Sequence, residues 1–360
     1  MNSTPALPRT RTHRALLSDD VVTSVLSFLA PDAGRAVDLA CKMHHNLWRR
    51  RCSRLFRVLR SPVGDLVFSE RVIAYGDGAL VPNYGDNETD MCLKTYSASG
   101  DHVSDLLRGI PRPTALALRG DGTAWILLHD ANLIVCTRLD YDPTYSSESE
   151  TMEIDPERFY PDHANGLGCM VSDICLAGDR LLILSYPCGN FNENEREKAS
   201  SRVHVVDDGS GALLYQFLTH LSKYENGLFA VQDDMLFVAG FGTNVIHTYN
   251  WRQGSLVGCI RPEGDLTFRR PWGVAVSGKM LYVSEQGESS ENVAGRIWIL
   301  RLPDDVSSSS SDPIVVQVIS SPDGKELGGL CLNRGRLWCM GPDEGRTHMH
   351  LFERAVLLRV

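Results

Sequence analysis

Trp272-Gly-Val-Ala-Val-Ser-Gly-Lys-Met-Leu-Tyr-Val283 decides the fold. Two short runs of β-branched, aromatic and aliphatic residues flank a Ser-Gly-Lys turn, so the segment reads as strand, tight turn, strand. The same hairpin recurs as Pro111-Arg-Pro-Thr-Ala-Leu-Ala-Leu-Arg-Gly-Asp-Gly-Thr-Ala-Trp-Ile-Leu-Leu128, and again in the runs starting at Val171, Asn226 and Leu327. Aligned starts fall at 115, 172, 227, 273 and 328. A third strand follows each hairpin, as in Arg202-Val-His-Val-Val, Asn244-Val-Ile-His-Thr-Tyr and Arg296-Ile-Trp-Ile-Leu. A fourth follows as Leu213-Leu-Tyr-Gln-Phe, Ser255-Leu-Val-Gly-Cys or Ile314-Val-Val-Gln-Val. Four strands repeating at about fifty residues is the signature of propeller blades.

Five blades are clear, and a more degenerate sixth is placed over 66–108, from Leu66-Val-Phe to Asp101-His-Val-Ser-Asp-Leu. The expected fold is mainly β: a six-bladed propeller over 61–360. Three insertions read as solvated loops: the acidic run Ser146–Glu157, the Asn/Glu-rich run Cys188–Ser201, and Ser307–Ser311. Asn87-Glu-Thr matches a glycosylation sequon and is read only as a loop.

The 360 residues carry a net charge of −9, unevenly spread. Residues 1–60 hold 11 Arg/Lys against 4 Asp/Glu, a balance of +7; the rest hold 25 against 41, or −16. That acidic balance argues against a nucleic-acid groove along the larger segment. No stretch approaches 18 apolar residues, so no membrane helix is expected. The ten cysteines form no C-x-x-C pair and several lie in apolar runs, which fits a reducing compartment, so a cytoplasmic or nuclear location is expected.

Upstream of the propeller the period is helical. Residues 1–15 read as a flexible tail. Ser18 followed by Asp19 and Asp20 caps a helix whose apolar stripe is Val22, Val25, Leu26 and Leu29. Ala30-Pro31-Asp32 ends it. Val37, Ala40, Cys41 and His44 form a second stripe, and Trp48, Cys52, Leu55, Phe56 and Leu59 a third, with the basic run Arg49–Arg60 as its polar face. Three short helices over 16–60 leave apolar faces that need a partner or the next domain.

These residues resemble a known family. Leu17-Ser-Asp-Asp-Val-Val-Thr-Ser-Val-Leu-Ser-Phe-Leu, Pro31, Val37-Asp-Leu-Ala-Cys-Lys and Leu47 look like an F-box motif, with Ser18, Gly34 and His44 departing from the usual Pro, Leu and Trp. The stretch 271–300 is similar to NHL repeats. The resemblance implies a non-catalytic substrate receptor of a cullin–RING ubiquitin ligase. Its adaptor-binding residues would be Leu17, Val22, Val25, Leu26, Leu29, Val37 and Leu47, its partners a Skp-type adaptor, a cullin and a target protein.

Enzymatic signatures are sparse. There is no P-loop, dinucleotide fingerprint, His-Glu-x-x-His or Gly-x-Ser-x-Gly motif, and no cofactor is expected. His348-Met-His350 puts two imidazoles on one face of a strand with no third ligand nearby in sequence, so it reads as a surface pair rather than a metal site. Asp173, Asn226 and Glu285 are the candidates for the channel calcium of a propeller hydrolase or lactonase, but they form no recognisable set. A plain interaction scaffold is the other reading. Loops before inner strands and after second strands open on one face, and there the chain places Arg112, Tyr224, Arg270 and Trp272, and His129, Tyr186, Phe241 and Glu285. These residue types suit a protein-binding surface, and they are the candidate target-binding set.

Overall fold

The computed structural model describes residues 56–67, 69, 71–85, 87, 90–140, 152–159, 168–188, 200–219, 221, 226–262, 266–287, 293–303, 313–343 and 346–354. The adaptor-binding candidates, the F-box-like segment as far as residue 55, and Tyr224 lie outside them.

Twenty-four strands build six four-stranded antiparallel sheets. Blade 1 is β2 (Ile73–Tyr75), β3 (Gly78–Asn83), β4 (Cys92–Tyr96) and β5 (His102–Leu106); blade 2 is β6 (Pro113–Leu118), β7 (Thr123–Leu128), β8 (Leu133–Arg138) and β9 (Met152–Ile154). Blade 3 is β10 (Gly168–Ala177), β11 (Arg180–Cys188), β12 (Arg202–Asp207) and β13 (Leu213–Leu218); blade 4 is β14 (Asn226–Gln232), β15 (Met235–Gly240), β16 (Val245–Asn250) and β17 (Ser255–Ile260). Blade 5 is β18 (Pro271–Ser277), β19 (Met280–Glu285), β20 (Arg296–Arg301) and β21 (Ile314–Ser320). Blade 6 joins β22 (Leu330–Asn333), β23 (Arg336–Asp343) and β24 (Arg346–Arg354) to β1 (Phe56–Leu66) as its outer strand.

Each blade begins at the centre. The inner strand β14 packs against β10 and β18, β22 packs against β18 and β2, and β6 packs against β10 and β3, so the six-bladed ring closes on itself. Apolar side chains fill the seams: Ala230 and Phe237 of blade 4 meet Val274, Leu281 and Trp298 of blade 5, and Ala115 and Trp125 of blade 2 meet Ile174 and Ile183 of blade 3. The inner hairpins turn where the sequence signals it. Gly278 takes φ +56°, and in blade 4 Asp233 accepts φ +53° in the same turn position.

Three expectations are corrected. Residues 56–60, read as the end of a third amphipathic helix, are strand: Phe56 pairs with Arg354 and Val58 with Phe352 across the β1–β24 ladder. No α-helix occurs among the described residues. Blade 1 starts at Ile73 rather than Leu66, because Leu66 is the last residue of the closing strand. Met152–Ile154, read as part of an acidic loop, forms β9; the burial of Ile154 in the seam between blades 2 and 3 draws that piece of the insertion into the sheet.

Candidate functional site

In an alternating four-stranded blade, the loops entering the inner strand and those joining the second and third strands lie on the same face. That face carries Arg112 and Arg270, each just before the proline that opens an inner strand and each held at positive φ, +40° and +51°. A positive φ is uncommon for a residue with a side chain, so each arginine leaves the backbone in a direction that an ordinary extended or helical residue would not give.

Each arginine stacks on the residue that follows a second strand. The Arg112 guanidinium lies 4.7 Å from the Tyr84 ring centre, and Arg270 lies 4.4 Å from that of Phe241. Each arginine's carbonyl also accepts a backbone N–H from the end of the second strand of the blade it enters, His129 to Arg112 (3.1 Å) and Gln286 to Arg270 (3.2 Å). The two stacks are thus the same device at the blade 1/2 and 4/5 junctions. These junctions are three blades apart, on opposite sides of a six-bladed ring.

Around the first stack, Arg112 pairs with Asp130, and the Tyr84 hydroxyl donates to Asp130 Oδ1 (3.3 Å). The Arg112 and Asp130 side chains are 41% and 50% exposed, so the pair is available to a partner. The His129 ring sits 6.3 Å from Tyr84. Around the second stack, Trp272 meets Phe241 edge-on at 5.5 Å, and the Arg270 N–H donates to Asn244 Oδ1 (2.8 Å). Half-buried Phe241 and Trp272 therefore form an aromatic pair capped by Arg270.

Among the candidates of this face, Glu285 behaves differently. It is the buried last residue of β19; its Oε1 accepts from the Arg269 amide (2.6 Å) and its Oε2 pairs with Arg296 (2.7 Å). Burial pushes its carboxyl above the usual range, and those two partners oppose the rise. It positions the segment before β18 rather than offering a carboxylate to solvent. Tyr186 is half-buried and lies within β11, near the end of the second strand of blade 3, whereas Tyr84, His129 and Phe241 directly follow theirs. Sequence reasoning missed Tyr84 and Asp130. Tyr84 had the right signal, an aromatic directly after a second strand, but anchoring blade 1 at Leu66 put it out of phase.

Two of the three calcium candidates are engaged by other partners. Asp173 is fully buried in β10, where Oδ2 pairs with Arg71 (3.1 Å) and accepts the Phe229 amide (3.0 Å), and Oδ1 accepts the Ile174 amide (3.0 Å). Glu285 is engaged as above, and Asn226 opens β14.

One buried pair has the outline of a nucleophile and base: Ser185 Oγ lies 2.7 Å from His204 Nε2. The Gln216 amide, oriented to satisfy both its ends, donates to His204 Nδ1 (3.0 Å), which puts the ring proton on Nε2. Nε2 then donates to Ser185 and cannot abstract its proton. Burial, helped by the charge of Arg202, lowers the His204 pKa to about 4. Its unfolded value is about 6.5, so between the two the unfolded chain binds a proton that the folded chain does not. Stability therefore falls as pH drops from 7 towards 4, by on the order of 3 kcal/mol from this residue. His204→Gln should flatten the pH dependence of the urea midpoint over that window. Parallel curves for variant and wild type would refute the assignment.

On the same face, His348 and His350 of β24 meet Asp323 from the loop after β21. His348 Nε2 lies 2.7 Å and His350 Nε2 3.7 Å from Asp323 Oδ2. The sequence offered no third ligand because Asp323 precedes His348 by 25 residues and belongs to the entry loop of the blade. His350 is fully buried, not a surface residue. It shares a register position with His204 and His247: each sits opposite the fourth residue of the preceding strand, Cys339, Ile183 and Val238.

No family model and no curated protein matches the chain. Among solved structures, a chain from the crystal structure of a nidogen/laminin complex is similar, at 14% identity and TM-score 0.48, over 73% of this chain and 83% of that one. BamB from Moraxella catarrhalis is similar at 11% identity and TM-score 0.42, over 83% and 99%. These likenesses carry no argument about what this chain binds.

Proposed function

We propose that the chain is a non-catalytic protein-interaction propeller that docks a target protein on the face bearing Arg112 and Arg270. The observation that supports this is the repeated arginine–aromatic stack on opposite sides of one ring. Stacked arginines lose little side-chain entropy when a partner arrives, and Arg, Tyr and Trp are the side chains that dominate protein interfaces. At the finer level the proposal assigns the part of residues 16–60 that precedes β1 as an F-box holding a Skp-type adaptor and cullin, which would make the propeller a ubiquitin-ligase substrate receptor with NHL-like blades. That assignment rests on the motif quoted above.

Two measurements test the two levels. Full-length protein should co-purify with a Skp-type adaptor, and Leu26→Ala with Leu29→Ala should abolish this while the propeller melt stays unchanged. An adaptor complex that survives both substitutions, or no complex with the full chain, ends the ligase reading. Arg112→Glu with Arg270→Glu should lower partner labelling in quantitative proximity labelling about tenfold or more; an unchanged partner set would sink the assignment of the face.

A further inference from the structure

We propose that Asp323, His348 and His350 form a divalent transition-metal site of zinc type, with three protein ligands and one open position. Among the described residues this is the one group of three or more His, Cys, Asp or Glu side chains whose ligand atoms all lie within 4.8 Å of one another. Two imidazoles and a carboxylate make a borderline-soft N/N/O set that suits Zn²⁺ rather than Ca²⁺ or Mg²⁺.

The geometry fits. Ligand atoms about 2.1 Å from a tetrahedral ion sit about 3.4 Å apart. The two histidine–carboxylate distances, 2.7 and 3.7 Å, bracket that spacing, so side-chain adjustments of under about 1 Å suffice. The imidazole planes are nearly perpendicular, at 89° with centres 5.3 Å apart, so both nitrogens can address one point without the rings colliding.

Two features beyond the ligands belong to a built site. Asp323 is oriented from behind: its other oxygen accepts the Ser321 hydroxyl (2.6 Å) and the Lys325 amide (3.1 Å). Outer partners of this kind hold a carboxylate in its ligating pose. In front of the imidazoles stands Gly341 of β23, the cross-strand partner of His348. A Cβ there would come within 2.7 Å of His350 Nε2 and 3.3 Å of His348 Nε2. The glycine thus keeps clear the space that both nitrogens face. The site stays accessible, since the His348 and Asp323 side chains are 16% and 26% exposed. A water, or a side chain of a docked protein, would complete the coordination.

The proposal is independent of the partner reading, because the test needs only the metal. Purified full-length chain, stripped of metal, is titrated with Zn²⁺ against a chromophoric chelator. Wild type should take up one equivalent that His348→Ala and Asp323→Asn each bind at least tenfold more weakly. Gly341→Ala, which keeps all three ligands but fills their space, should weaken the same equivalent. All three variants should still melt in one cooperative transition in the absence of metal, which separates lost binding from lost folding. Equal zinc binding by wild type, His348→Ala and Asp323→Asn, or no binding by wild type, would overturn the site and leave a hydrogen-bonded Asp–His cluster.

Discussion

Deleting residues 1–66 is expected to abolish cooperative folding of the propeller, whereas deleting residues 1–55 keeps every strand that the structure describes. The difference is β1, eleven residues that form the outer strand of the blade whose other three strands come from the C-terminal end. Its pairing with β24 runs from Phe56 opposite Arg354 to Leu66 opposite Thr347, so blade 6 is closed by two segments nearly 300 residues apart in sequence. Without β1, the β24 edge loses its hydrogen-bond partners, each worth about 1 kcal/mol net. Leu66, fully buried with Val72, Trp338, Met349 and Leu351, leaves the seam between blades 6 and 1, at about 2 kcal/mol for that side chain alone. Together these losses reach the 5–15 kcal/mol that a domain has in total. Tryptophan fluorescence during thermal unfolding separates the outcomes. A wild-type transition in the 1–66 deletion would show that the ring does not depend on β1.

The same strand shows where sequence reasoning failed. Phe56 and Leu59 continue a 3.6-residue stripe from Trp48, and over a run this short that period and a strand's alternation fit the same apolar residues. Leu59 belongs to the helical stripe but is 41% exposed in the strand. Pro62 sits within β1, which is an outer strand whose register shifts between Arg60 and Val63, the context in which a proline's missing N–H costs little. The inner hairpins were legible because their signals are local: two apolar runs and a turn within about fourteen residues. Blade closure was not, since it depends on a partner at the other end of the chain. The face followed the same rule. Arg112, Arg270, His129 and Phe241 were found by counting from strand ends, while Asp323 could be joined to His348 and His350 only once entry loops and second-to-third-strand loops were known to be neighbours.

The second large effect is expected at the centre of the ring. Arg71, just before β2, reaches blades 3 and 4: its Nη1 pairs with Asp173 Oδ2 (3.1 Å) and its Nη2 donates to the Phe229 carbonyl (3.2 Å). Both side chains are almost wholly buried, 8% and 0% exposed. Asp173→Ala strands the buried guanidinium without its counter-charge and removes the acceptor of the Phe229 and Ile174 amides. Breaking a buried pair from one side typically costs about 3–5 kcal/mol, and a urea midpoint shift of that size is expected. Arg71→Met leaves the carboxyl instead, and burial already pushes that carboxyl above its ordinary value against the pull of Arg71 and the two amides. Without the arginine the rise is larger, so the folded state of Arg71→Met holds a proton that the unfolded chain releases above about pH 4. The sign follows: the variant's stability should be greatest in acid and fall as pH climbs through the raised value, more steeply than in wild type. Combining Arg71→Met with Asp173→Ala removes both charges and should cost clearly less than the sum of the two single losses, because much of each single cost lies in the unpaired charge rather than in the missing attraction. Additive losses in the double variant would mean that the pair is not coupled and that each side chain acts through its own backbone contacts.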